Sequence, residues 1–421
     1  MSIKVTIVGV GLGQEKYLTA RAREILTSAD VVYTTARIGM GLQNILKELI
    51  SFKVSEIVPM IKESKKDVVV MVSGDTGFYS LAKTITRGLR GTDIRIEIVN
   101  GISSMQYFFA KLGSGYEDVV LASVHGRATD LVALSTYNKK VFALTGGEAK
   151  IVDICKELCK AGMDHLKITV GEDLGSETEK ISVGPPAEFV EREISELAVI
   201  LIENEMAADP NSFIRDEDLE RGNAPMTKEE IRHVSLAKLN IAPDDIVYDI
   251  GAGTGSVTLE MAKRANRSRV YAVEQKEDAF ELVEINKKRL GIYNIKLSFA
   301  KAPDGMQDWE PADKVFIGGS GKNMGKIIDE IVAIHRRKYE QLADKSGYMG
   351  KRIRFVINTI TLESLTEANQ LLERPPFENV EYVSISTAKS KKIGGYNMMM
   401  ANNPIYVISA DYVLNFEEIE N

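Results

Sequence analysis

Ile246-Val247-Tyr248-Asp249-Ile250-Gly251-Ala252-Gly253-Thr254-Gly255 decides the fold of the C-terminal half. An apolar run that ends in an acid reads as a buried parallel strand. Three glycines at alternate positions follow, and Val257-Thr258-Leu259-Glu260-Met261-Ala262 then continues with helical spacing. Glycine lets the backbone turn sharply and lie against a ligand that a Cβ would hold off. The helix N-terminus faces that ligand with free N–H groups. The next strand, Arg269 to Val273, ends in Glu274, an acid placed to accept hydrogen bonds from a ribose diol. Strand, glycine turn, helix, strand and acid together make a nucleoside-binding half-sheet.

Working outward from this stretch, the helix Phe280 to Leu290 leads to a strand Ile295 to Phe299. Ala300-Lys301-Ala302-Pro303 follows, where Ala302 is expected near an adenine. Lys314 to Ile317 and Arg354 to Asn358 continue the alternation, the former ending in Gly318-Gly319-Ser320-Gly321. Val380 to Ile385 and Ile405 to Ser409 make a closing strand pair, with a Lys-, Gly- and Met-rich loop, 389–403, between them. About seven strands alternating with helices predict a Rossmann-like sheet. Upstream, Thr227 is expected to cap a helix, with Glu230 three residues later.

The 421 residues carry a net charge of −7, with Lys and Arg dispersed along the chain. That length favours at least two domains, and the charge argues against a nucleic-acid partner. No run of 18 apolar residues is present, so no membrane span is expected. Met1-Ser2-Ile3-Lys4-Val5 enters a strand directly, without an export signal. Two cysteines, Cys155 and Cys159, share a helix face as packed thiols. A cytoplasmic location is expected. The four histidines have no metal-ligand spacing, so no protein-bound metal is expected.

The N-terminal half repeats one device. Strands Ile3 to Val8, Val68 to Val72, Ile94 to Val99, Val119 to Ala122 and Val141 to Leu144 each run into a glycine- or serine-rich turn. All five are expected on the carboxyl edge of one sheet, where ligands bind in open α/β folds. Gly9, Gly11 and Gly13 do not have the dinucleotide spacing, and Tyr33 rather than an acid ends the next strand. Leu197 to Ile202 closes this half, and the boundary falls near residue 206, before a Pro-, Asn- and charge-rich segment.

Val8 to Gly13, Ser73-Gly74-Asp75-Thr76-Gly77-Phe78-Tyr79-Ser80, Gly101-Ile102-Ser103-Ser104 and Ser123-Val124-His125-Gly126-Arg127 resemble, in order, the tetrapyrrole (corrin and porphyrin) methylases. With Val170 to Gly175 they resemble the precorrin C-5 branch. Leu12 and Gln14 stand where that family usually has proline and a polar or acidic residue. Pro225 to Arg232, Asp249 to Ser256 and Val315 to Gly321 resemble the decarboxylating precorrin-6B C-15 methyltransferases. The order of the two matches the fusion of both activities, the precorrin-6Y C-5/C-15 methyltransferases. The resemblance implies a two-lobed tetrapyrrole methylase fold over residues 1–206 and a class I, seven-stranded methyltransferase fold over 207–421. It implies S-adenosylmethionine in each, a precorrin or cobalt-precorrin substrate, and self-association.

The cofactor contacts expected are Gly74, Asp75, Gly77, Tyr79, Gly101, Ser103 and Ser104 in the first half. In the second they are Thr227, Asp249, Gly251, Ala252, Gly253, Thr254, Gly255, Glu274, Ala302 and Gly318. A polycarboxylate macrocycle needs cations and backbone N–H groups. Gly9, Gly11, Gly13, Arg37, Arg127, Gly319, Lys322 and Lys389 are candidates, with Arg215 and Lys391 beside them. His125, Asp75 and Arg127 are the candidates for catalysis, each set against a structural role as hydrogen-bonding, turn-holding or solvated groups. Two other classes of function remain. One is an RNA, DNA or protein methyltransferase, since Asn402-Asn403-Pro404-Ile405-Tyr406 partly matches an amino-methylase motif. The other makes the N-terminal half a binding or scaffolding module.

Overall fold

A computed structural model describes residues 3–35, 38, 41–124, 129–147, 149–345 and 348–416. The chain divides into two compact units. The first comprises Met1–Arg127, Lys140–Ile154 and Lys167–Ile202; the second comprises Ala128–Lys139, Cys155–Leu166 and Glu203–Asn421.

The first unit holds two sheets. β1 (Lys4–Gly9), β2 (Val32–Thr34), β3 (Leu49–Ser51), β4 (Val68–Val72) and β5 (Arg95–Val99) pair in the order β3-β2-β4-β1-β5, all parallel. β6 (Val120–Ser123), β7 (Lys140–Leu144), β8 (Lys167–Glu172), β9 (Lys180–Gly184) and β10 (Ala198–Glu203) form the second, in the order β6-β7-β10-β8-β9. The five turn-bearing strands expected on one sheet therefore divide between two, which is the two-lobed arrangement. The helix Ser104–Leu112 carries the chain across: Phe108 and Phe109 are fully buried against Phe142 of β7. Ser103 caps that helix in a complete capping box with Gln106.

The second unit is built on β11 (Val247–Ile250), β12 (Val270–Glu274), β13 (Ile295–Phe299), β14 (Lys314–Ile317), β15 (Arg352–Thr359), β16 (Phe377–Ile385) and β19 (Ile405–Val413). Their order is β13-β12-β11-β14-β15-β19-β16. The first five are parallel, and β19 runs antiparallel to both its neighbours. This is the seven-stranded class I methyltransferase sheet. Alternate residues feed a core on each face: Tyr248, Ile250, Val315 and Ile317 on one, Val247, Phe316 and Val356 on the other.

Two local expectations fail. Thr227 does not cap a helix; the helix is Glu229–Leu239, its N-cap is Lys228, and no side chain caps it. Glu229 and Glu230 in the first turn offset the helix dipole instead. The expected 389–403 loop is a hairpin of β17 (Ala388–Ile393) and β18 (Tyr396–Ala401). Both its strands are exposed throughout, so no apolar alternation marks them, whereas the Gly394-Gly395 turn is a hairpin signal.

Within the second unit, Asp130 caps the helix Leu131–Tyr137 and accepts from Arg269 Nε at 2.5 Å. Tyr137 donates its hydroxyl to Asn294 Oδ1 at 2.9 Å.

Candidate functional site

The ends of β11, β12 and β14 converge on one cavity of about 390 Å³. Gly251 N and Ala252 N both donate to Val273 O, at 3.0 and 3.2 Å, and Gly318 N donates to Ile250 O at 3.0 Å. These bonds sew the glycine turn to the strands on either side. At Gly251, φ is +79°, and a Cβ would stand 2.7 Å from Gly319 O. The glycine is required because two strand-end loops touch there, in addition to any ligand they hold.

Glu274 is the anchor of this turn. Its Oε2 accepts from Gly253 N at 2.8 Å, and its Oε1 accepts from Gln275 N and Lys276 N, both at 2.9 Å. It is 6% exposed and lines the cavity. A carboxylate offers about four acceptor positions, so one lone pair remains for a ligand hydroxyl. Asp249, one strand over, is fully buried; Oδ2 accepts from Thr258 Oγ1 at 2.5 Å and Oδ1 has no partner. Burial pushes its carboxyl up to about 7, the Thr258 bond opposing and Glu274 adding to the shift. A buried acceptor without a donor beside a cavity is a place for a ligand N–H or O–H.

Thr227, Asp249, Gly251, Ala252, Gly253, Glu274, Ala302, Gly318 and Gly319 all line this cavity. Thr254, Gly255, Lys322 and Lys389 are not among its lining residues. Gly255 is instead the left-handed N-cap of the helix Ser256–Arg264. Lys389 binds Glu230 at 2.8 Å, beside a different cavity. The cavity wall also includes Lys301, Ser320, Asn358, Thr359 and Ser364, which the sequence reading did not select. Asn358 and Thr359 sit at the carboxyl end of β15, a position that could have signalled them.

In the first unit, the turns after β1, β4 and β5 meet. Gly11 and Gly74 exchange backbone bonds of 3.1 and 2.9 Å. A Cβ on Gly101 would stand 2.3 Å from Gly74 O, and one on Gly9 2.7 Å from Gly101 N. Asp75 ties the set together: Oδ2 accepts from Gly77 N at 2.8 Å and Oδ1 from Gly101 N at 3.3 Å. That is a turn-holding acid, one of the two roles open for it. Tyr79, in left-handed conformation, reaches the second lobe and donates to Leu121 O at 3.0 Å. Ser103 is occupied as a cap, Ser104 opens its helix, and Gly13 has open space where a Cβ would be. Arg37, His125 and Arg127 lie outside the described residues.

The first loop is braced from behind. Tyr17 donates to Tyr107 at 3.3 Å, and Tyr107 donates to Glu179 at 2.6 Å. Glu179 also accepts from Gly175 N and pairs with Lys111 at 2.8 Å. Burial works against the Glu179 carboxylate, but Lys111 and Tyr107 outweigh it and hold its pKa down to about 2.

Comparison with known proteins agrees with both halves. The family described as tetrapyrrole (corrin/porphyrin) methylases matches residues 4–190, and a precorrin methyltransferase domain matches residues 220–411. A probable cobalt-precorrin-6B C(15)-methyltransferase (decarboxylating) from Methanococcus vannielii is 35% identical, over 47% of this chain and 99% of the relative. The chain belongs to the precorrin methyltransferase family. A precorrin-6Y C(5,15)-methyltransferase (decarboxylating) from Sinorhizobium sp is 27% identical over 93% of this chain and 92% of its own length. A solved precorrin-6Y C5,15-methyltransferase from Geobacter metallireducens is 34% identical, covering 47% of this chain and 95% of its own, with a TM-score of 0.41. This precorrin methyltransferase has the fused architecture, and methyl transfer in this family depends on S-adenosylmethionine.

Among the described residues, no group of three or more His, Cys, Asp or Glu side chains is placed to hold a metal ion. No helix among them is long and apolar enough to cross a membrane.

Proposed function

We propose that the chain methylates a precorrin macrocycle twice, at C-5 and at C-15, and decarboxylates its C-12 acetate arm, within corrin biosynthesis. Residues 1–206 carry the C-5 transfer and 207–421 the C-15 transfer with decarboxylation, each using its own S-adenosylmethionine. The observation that carries this reading is the cavity at the ends of β11, β12 and β14, with Glu274 and the unpartnered Asp249 Oδ1 in its wall.

The donor group fits these residues: Glu274 for a ribose diol, the Gly251–Gly253 backbone for the amino-acid portion, Ala302 for the adenine edge. When bound, it supplies an electrophilic methyl group. The protein's contribution is to hold an electron-rich ring carbon in line with that methyl and to exclude water, so positioning supplies most of the rate. This accounts for a site built from glycine turns and single carboxylates. Loss of carbon dioxide from an acetate arm is favoured where that carboxylate is desolvated near an electron-withdrawing ring. The reading requires no protein-bound metal; cobalt, if present, arrives in the substrate. A cytoplasmic location accords with two unpaired thiols, Cys155 and Cys159, and the chain is expected to self-associate without nucleic-acid or membrane partners.

One variant of the full chain tests the division of labour. Gly253→Arg puts a side chain where Pro225 O lies 2.8 Å away, at a φ of +57°. It should abolish carbon dioxide release and C-15 methylation while C-5 methylation of a precorrin continues. Retention of C-15 methylation would overturn the assignment of the C-terminal cavity. Parallel assays with metal-free and cobalt-loaded substrate decide which form is used.

A further inference from the structure

A second cavity of about 670 Å³ lies in the second unit, and it is charged where the first is largely apolar. Five cations line it, Arg215, Arg221, Lys228, Lys389 and Lys391, against the carboxylates of Asp216, Glu217 and Glu229. The chain as a whole carries a charge of −7, so this excess of positive charge is local.

The carboxylates there are already engaged. Asp216 pairs with the fully buried guanidinium of Arg232 at 2.6 Å, and Glu217 pairs with Arg215 at 3.5 Å. Glu229 accepts from Asp216 N at 3.4 Å. Lys389 is spent on Glu230, and Arg221 donates to Asp216 O. The ammonium groups of Lys228 and Lys391 have no acceptor among the described residues. They are the cations left to meet an incoming anion, and Met400 beside them gives a polarisable apolar patch.

The two cavities share a wall. Pro225, Met226 and Thr227 line the first, and the next two residues line the second; Ile405 lines the first and Asn402 the second. Asn402 is fixed by two bonds to Thr387, from N at 2.9 Å and from Nδ2 at 3.0 Å. A ligand whose reacting carbon sits in the first cavity can thus place an anionic arm in the second.

We propose that this cavity is a carboxylate-docking site, in which Lys228 and Lys391 bind side-arm carboxylates of the tetrapyrrole and Met400 meets the ring edge. The inference rests on the C-15 reading above and transfers the anchoring role from Lys389 to Lys228 and Lys391.

The test is steady-state carbon dioxide release from precorrin-6B by the full chain, with uroporphyrin, an octacarboxylate tetrapyrrole, as a competing probe. The double variant Lys228→Ala/Lys391→Ala should raise the KM for precorrin-6B and the inhibition constant of uroporphyrin by roughly tenfold, two exposed ion pairs' worth. The kcat and the affinity for S-adenosylhomocysteine should stay within about twofold, and the effect should shrink as salt screens the charges. Lys228→Arg/Lys391→Arg, which keeps both charges, should restore the KM. A KM unchanged in the alanine variant, with the wild type active, overturns the docking site alone. A wild-type protein that releases no carbon dioxide from precorrin-6B overturns the C-15 reading and the docking site with it.

Discussion

Replacing Glu274 by Gln separates a cofactor anchor from a mere structural acid. The carboxylate holds three backbone N–H groups, two on Oε1 and one, from Gly253, on Oε2. Glutamine keeps one acceptor oxygen and gains a donor. Its cheaper rotamer leaves the oxygen on Gln275 and Lys276 and turns the NH₂ towards Gly253, donor against donor. One hydrogen bond to a charged group is then lost, at about 1.5–3 kcal/mol. For a unit of this size that lowers Tm by about 3–12 °C. If the remaining lone pair holds a ribose hydroxyl, a second bond of the same class goes, and the cofactor dissociation constant rises by about ten- to a hundredfold. Calorimetric titration with S-adenosylhomocysteine, together with the KM for S-adenosylmethionine in carbon dioxide release, measures the second effect; a melting curve measures the first. A lowered Tm with cofactor affinity within about threefold of wild type would show that Glu274 braces the loop without touching the ligand.

Asp249 has a pKa raised by burial to about 7, above its unfolded value. The folded state therefore holds the proton more tightly, and its stability contribution, full below about pH 4, is lost as pH rises through about 7. Asp249→Asn should flatten that slope in urea melts taken across the range; an unchanged slope refutes the assignment. Gly101→Ala places a Cβ 2.3 Å from Gly74 O. It should abolish C-5 methylation while carbon dioxide release persists, read by mass spectrometry of the product. Arg232→Met leaves Asp216, only 13% exposed, without its 2.6 Å partner. With Lys389 still 3.9 Å from that carboxylate, it should cost about 3 kcal/mol by denaturant titration, since a largely buried charge that loses its close partner is penalised more than the pair was worth.

The sheet of the second unit was legible because its strands obey simple rules. Val247 to Ile250 and Lys314 to Ile317 are short apolar runs with a glycine turn beyond each, and parallel strands between helices take few arrangements. In the first unit the strands were equally legible but their partners were not. A glycine turn after β6 or β7 looks the same whichever sheet the strand joins, and what decides it is the burial of Phe108 and Phe109 against Phe142, long-range packing with no local signature. The hairpin of β17 and β18 escaped because both its faces meet solvent. Thr227 illustrates a different limit. It fits a capping box in sequence, but its backbone is drawn into the cavity wall, where Thr227 O accepts from Arg232 Nη1 at 2.9 Å, and the helix begins at Glu229.

The glycines carry the sharpest revision. Read along the chain, they make room for a ligand, and at Gly319 a Cβ would meet nothing within 4 Å. At Gly9, Gly101 and Gly251, however, a Cβ would strike the backbone of another strand-end loop before any ligand entered. In both halves, therefore, turns at the ends of different strands are pressed into a seam, those after β1, β4 and β5 in the first and those after β11 and β14 in the second. A side chain at such a position must push the loops apart, because interiors this close-packed do not yield by tenths of an ångström without cost. The consequence separates the two kinds of glycine by experiment. Gly319→Ala should leave Tm within about 1 °C, as expected of a change that meets no neighbour, and act only on ligand affinity. Gly251→Ala should lower both together, and a Gly251→Ala protein with wild-type Tm and lost cofactor binding would contradict the seam.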